Sequence, residues 1–210
     1  MIFMKNPGLK VIFLLATAMT LSAQLSAQDT EPVETLFNSD TKLGFQWSPS
    51  VKINSIQGDI GSLLEVNGGV LLNNSTMFGL AGGVNFGHPR VNYGYFGLMA
   101  RYAHNPSKLV HFSGQAVIAY GATKDYQQEK SSLFDNFWNI YGTGFYMVEP
   151  GVNLEVNLRE RARFVTGVSY RFVTGLDEES THVAITNVTN REMSGLNVMI
   201  GFIFKGGKKN

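Results

Sequence analysis

Seven titratable side chains, Lys52, Glu65, Arg101, His111, Glu149, Glu155 and Arg171, stand among bulky apolar neighbours. Cations and carboxylates interleaved in this way can pair, pass an ion or hold a charged ligand. Buried without partners, they would cost several kcal/mol each. His111 and Ser113 lie two positions apart, which puts both on one face of a strand. There an imidazole can take the proton of a hydroxyl nucleophile. Phe134, Phe137, Trp138 and Tyr141 crowd one short stretch. They read either as a self-packed lip or as an exposed contact surface for a partner or glycan. The chain has no cysteine, which excludes a disulfide framework, a thiolate metal site, a cysteine nucleophile and a lipidated cysteine. It carries no P-loop, dinucleotide fingerprint, HExxH or EF-hand loop, and neither metal nor cofactor is assigned. With 17 basic against 16 acidic residues, nothing favours nucleic acid as a partner.

Strict alternation is what must position these side chains. Leu43, Phe45, Trp47, Pro49, Val51 and Ile53 interleave with Gly44, Gln46, Ser48, Ser50, Lys52 and Asn54. Period two means a strand with one apolar and one polar face. The pattern recurs near residues 64–73, 78–86, 95–102, 110–123, 146–158, 164–172 and 195–204. That makes eight strands, with no helix expected after residue 30. Pro49 and Pro150 fall inside strands and predict kinks, bulges or register slips there.

A soluble sandwich or barrel also alternates, so three further features decide the surroundings. The alternating runs are long, close to the 9–11 residues of a tilted membrane crossing rather than the 5–6 usual in soluble sheets. The second, fourth and sixth connections are short, at 73–75, 105–108 and 159–162. The fifth and seventh, at 124–144 and 175–192, are long and lie at the opposite end. Finally, an up-and-down trace collects Phe45, Trp47, Phe78, Tyr102, Phe112, Phe164 and Phe204 at one rim. Phe86, Phe96, Tyr120, Tyr146, Tyr170 and Phe172 fall at the other. Asymmetric loops and two aromatic girdles belong to an antiparallel up-and-down transmembrane β-barrel, all-β, with both termini periplasmic.

The 16% of charged residues is below the roughly 25% of soluble domains, and 23 glycines suit crowded inward positions. Lys5 and Lys10 precede an apolar stretch at 11–21 and a small, polar run at 22–28. This is the order of a secretory signal, too short for the roughly 20 residues of a membrane-spanning helix. The expected organisation is therefore a leader at 1–28, a periplasmic lead-in at 29–42 and a barrel domain at 43–210.

Parity sends all seven titratable residues into the lumen. Counting residues across the hairpins sets Glu149 opposite Arg171, Lys52 beside Glu65 and Arg101 beside His111. Eight strands enclose space only for side chains, so the pairs are expected to form a packed network rather than an ion path.

The alternating span from 43 to 205, ending in an aromatic strand at Phe202 and Phe204, resembles the small outer-membrane barrels of the OmpA/OmpX type in Gram-negative bacteria. The resemblance is architectural, and it implies outer-membrane location with lipids and lipopolysaccharide as surroundings. The resemblance does not specify an activity; the long fifth and seventh connections lead to the expectation of a non-enzymatic monomer that contacts an extracellular or envelope protein partner, with a narrow or gated porin-like channel as the alternative. The run His111, Phe112, Ser113 is also similar to the His-x-Ser pair of lipid A deacylases, barrels of this size. Those carry the pair on the lipid-facing surface, however, whereas parity turns His111 and Ser113 inward. Gly114 stands where asparagine often follows the serine, and the nearest carboxylates in sequence are Asp125 and Glu129. No catalytic residue is assigned.

Overall fold

The computed structural model describes residues 41–56, 58–86, 91–125, 143–176 and 188–206. Its strands are β1 Leu43–Ile56, β2 Asp59–Leu72, β3 Thr76–Asn85, β4 Val91–Ala103, β5 Val110–Asp125, β6 Thr143–Arg159, β7 Ala162–Thr174 and β8 Gly195–Gly206. Each pairs antiparallel with its neighbour in sequence, and β8 returns to β1, so a closed eight-stranded barrel has no edge to protect. The expected leader and all of the expected lead-in except Thr41 and Lys42 lie outside the described residues.

Alternation along each strand divides the wall as a pleat must. Along β1, Gln46, Ser48, Ser50, Lys52 and Asn54 are buried, while Phe45, Trp47 and Ile53 are exposed. The exposed faces of all strands form an apolar belt, with Leu80, Leu98, Ile118, Val168 and Ile200 at mid-height. Aromatic side chains gather at its ends. Trp47 stacks on Phe204 at 4.8 Å at the short-turn rim, and Tyr120 meets Tyr146 edge-on at 5.3 Å at the other. An apolar belt between two aromatic girdles is the exterior of a membrane-spanning barrel.

Two sharp features make the short turns. Asn73 and Asn74 both adopt positive φ, 48° and 61°, a region that asparagine tolerates, and Ser75 closes the turn onto Leu72. Between β6 and β7 only Glu160 and Arg161 remain, with a register shift between Asn157 and Arg159. Pro49 and Pro150 shift no register. Pro49 pairs with Val66 on β2 and interrupts the ladder only toward β8. Likewise, Pro150 pairs with Ala116 and interrupts it only toward β7. Each missing N–H is thus confined to one side of the strand.

Two expectations need correction. The seventh connection contains one turn of helix, α1 Asn190–Met193. Thr189 caps the Glu192 amide and Glu192 returns a bond to the Thr189 amide. The inward face is also less polar than expected. Ile56, Leu63, Leu71, Met77, Val117, Phe145, Met147, Val165, Val173 and Ile203 are all buried there. An enclosure too narrow for bulk water is a protein interior, and apolar side chains fill it wherever no charge needs a partner.

Candidate functional site

All seven lumen candidates are buried, at 0–4% exposure. They do not form one continuous network. The strands arrange them in three groups along the barrel axis.

The central group joins five strands. Lys52 on β1 donates to Glu65 Oε2 on β2 at 2.6 Å and to Glu149 Oε1 on β6 at 2.5 Å. Tyr95 on β4 donates a very short bond to Glu65 Oε2, Asn67 reaches Glu65 Oε1 at 3.3 Å, and Ser169 on β7 donates to Glu149 Oε1 at 2.7 Å. Room for the Tyr95 ring comes from Gly83, where a Cβ would lie 2.8 Å from it. Lys52 and Glu65 are not directly opposed. Lys52 faces Leu63 and Glu65 faces Ser50, so the pair is diagonal and the long lysine closes it.

Toward the short turns, Glu155 Oε2 receives Arg163 Nη1 at 2.9 Å and lies 3.1 Å from His111 Nε2. Arg163 Nη2 and Asn157 Nδ2 both donate to the Pro106 carbonyl, tying the fourth connection to β6 and β7. Arg101 does not meet His111. The β4–β5 ladder sets Arg101 against Gln115, and Arg101 Nη2 donates to Gln115 Oε1 at 3.1 Å. Asn153 shares that oxygen at 3.0 Å and reaches Ser113 Oγ at 3.3 Å. The β4–β5 ladder begins with Ala103 opposite Ser113, so it is centred on residue 108 rather than on Pro106, the centre that would align Arg101 with His111.

Arg171 belongs to the third group, at the outer mouth. Its Nε donates to the Met193 carbonyl of α1 at 2.9 Å and its Nη1 to Tyr93 Oη at 2.6 Å, while Asn54 also donates to Tyr93. Arg171 therefore makes no ion pair with Glu149, although the ladder pairs 148 with 172 and 151 with 169. Its guanidinium turns away to hold the helix carbonyl. Ile56, Val91, Phe145, Val173, Leu176, Val188 and Met193 fill this mouth as one apolar cluster, with Phe145 and Met193 fully buried.

Arg163, Tyr93 and Tyr95 complete the groups. Stepping back by twos from Arg171 through Ser169 and Gly167 reaches Arg163, so parity could have included it. The His111–Ser113 pair faces inward, and Glu155 lies opposite His111 on β6. Even so, both imidazole nitrogens are occupied, Nδ1 by the Lys108 carbonyl at 3.1 Å and Nε2 by Glu155. Neither faces the Ser113 hydroxyl, so general-base activation of that serine has no geometry. Phe134, Phe137, Trp138 and Tyr141 lie outside the described residues.

Among solved structures the barrel is similar to the N-terminal β-barrel domain of OprF from Pseudomonas aeruginosa, at 13% identity and TM-score 0.53, covering 77% of this chain and 96% of that one. It is also similar to Neisserial surface protein A (NspA), at 11% identity and TM-score 0.51, covering 79% and 97%. No protein-family model matches the chain, and no curated protein does at a significant level. At such identities the likeness is one of fold, that of the small eight-stranded outer-membrane barrels.

Proposed function

We propose that the chain serves in the bacterial outer membrane as a non-enzymatic barrel. It presents its outer connections to an extracellular or envelope protein, as a surface-interaction element or a subunit of an envelope complex. The filled lumen carries this reading. Lys52 bridges β1, β2 and β6 at the centre, while Met193 and Phe145 close the outer mouth. A side chain bonded across the axis removes the water column that a pore needs. A closed ladder also leaves no edge to recruit a second copy, which favours a monomer among lipids and lipopolysaccharide.

Planar-bilayer recording of the refolded chain tests the reading. The expected trace has no steady unitary openings. Steady openings that disappear in Lys52→Met or Glu149→Gln would replace it with a narrow channel.

A further inference from the structure

The buried charges of the lumen do not cancel. Among the described residues Lys52, Arg101, Arg163 and Arg171 stand against Glu65, Glu149 and Glu155, four cations less three carboxylates giving +1 with His111 counted neutral. The surplus has a place. At the centre, Lys52 between two glutamates leaves −1, which Arg171, within electrostatic reach of Glu149, offsets. Toward the short turns, Arg101 and Arg163 have Glu155 as the carboxylate of their group, which leaves +1. Lys205 on β8 adds to it. It lies opposite the inward Gln46, is partly buried, and is within electrostatic reach of Arg163 and Glu155. Buried charge without a counter-charge is strongly disfavoured, so this end of the lumen favours a bound negative charge.

Hydrogen bonding points the same way. Arg101 spends Nη2 on Gln115, while its buried Nε and Nη1 have no partner among the described residues. Arg163 Nε is in the same condition, and of the group's carboxylate oxygens only Glu155 Oε1 is. Gln46, 2% exposed, gives an amide hydrogen to the Met77 sulfur at 3.6 Å, a weak acceptor. These donors follow one another around the barrel axis. Met77 is opposite Arg101 in the β3–β4 ladder, Gln46 reaches Met77, and Lys205 is opposite Gln46. Lys205 in turn lies near Arg163, which is paired with Glu155.

From this ring we infer that the short-turn half of the lumen binds a small inorganic anion of halide size, held by Arg101 and Arg163 and admitted past Lys205. Water would satisfy the open N–H groups and leave the charge unbalanced, whereas an anion does both. Size follows from enclosure. Arg101 and Arg163 are only 3% and 2% exposed inside an eight-stranded wall, out of reach of a phosphate ester or a peptide carboxylate.

The test uses the full chain refolded into zwitterionic detergent and unfolded in urea at constant ionic strength, with sodium gluconate replaced stepwise by sodium chloride. Chloride is expected to raise the midpoint along a saturating curve, as a ligand of the folded state does, because gluconate is too large to reach Arg101. Arg101→Gln should raise the half-saturating concentration about tenfold or more, the loss of a charge-assisted bond. Lys205→Gln at the partly exposed mouth should raise it less and carries the test if Arg101→Gln does not refold. Arg191→Gln on α1 should leave it unchanged. Crystals grown in sodium bromide give a second readout, with an anomalous peak expected against the Arg101 guanidinium. A midpoint that is the same in chloride and gluconate would overturn the inference, as would a chloride response equal in the parent and the lumen variants. Bromide found only on exposed cations would mean an adventitious ion only, and would overturn it too.

Discussion

Lys52 on β1 and Glu149 on β6 meet at 2.5 Å across the lumen, although neither strand neighbours the other in the wall. Closure of the barrel brings them together, and Glu65 completes the bridge from the other side. Removing the lysine would strand two buried carboxylates. Lys52→Met is therefore expected to cost about 3–5 kcal/mol in urea unfolding of the refolded barrel. Adding Glu65→Gln and Glu149→Gln should restore most of that loss by neutralising the stranded charges. A Lys52→Met variant as stable as the parent would refute the bridge.

Arg171 offers the opposite expectation. Its guanidinium bonds the Met193 carbonyl and Tyr93 rather than Glu149. A double-mutant cycle on Glu149 and Arg171 should give a coupling energy well below that between Lys52 and Glu149. Comparable couplings would mean that Arg171 turns to the carboxylate in solution.

Gly83 and Gly114 separate crowding from composition. A Cβ at Gly83 would lie 2.8 Å from the Tyr95 ring, whereas one at Gly114 meets nothing within 4 Å. Gly83→Ala should destabilise by about 1–3 kcal/mol through overpacking. Gly114→Ala should stay within about 0.5 kcal/mol. Equal effects in the same unfolding assay would count against the packed lumen.

The capping box that holds α1 is open to hydrogen exchange. Thr189→Ala should weaken the turn by about 0.5–2 kcal/mol. It should also speed exchange of the Val173 amide, which donates to Ser194 Oγ at 2.9 Å, and of the Leu176 amide, which donates to Asn190 Oδ1 at 2.9 Å. Unchanged exchange at both would show that α1 is not what secures the outer mouth.

His111 and Ser113 make the enzymatic alternative testable. Because both ring nitrogens have other partners, expressing the wild-type chain should leave lipid A acylation as it is in a strain lacking the gene. Loss of an acyl chain that depends on Ser113 would reinstate the deacylase reading.

Parity was legible in the sequence because the pleat is local: consecutive side chains of a strand point to opposite faces whatever the strand pairs with. That alone determined the strand count, the lipid-facing belt, the two girdles and the burial of Lys52, Glu65, Arg101, His111, Glu149, Glu155 and Arg171. The α1 turn was also legible, since Thr189 and Glu192 have capping-box spacing, but one turn is easily lost in a long connection. Pairing depended on quantities that parity does not contain. The register of the β4–β5 ladder, centred two residues beyond Pro106, moved Arg101 from His111 to Gln115, and a diagonal reach joined Lys52 to Glu65. Meetings across the axis, such as Lys52 with Glu149 and Arg171 with Tyr93, are set by strand stagger and tilt once the ladder closes. Sequence determined which face each side chain takes; only the closed barrel decided which charges share a partner and which stand apart.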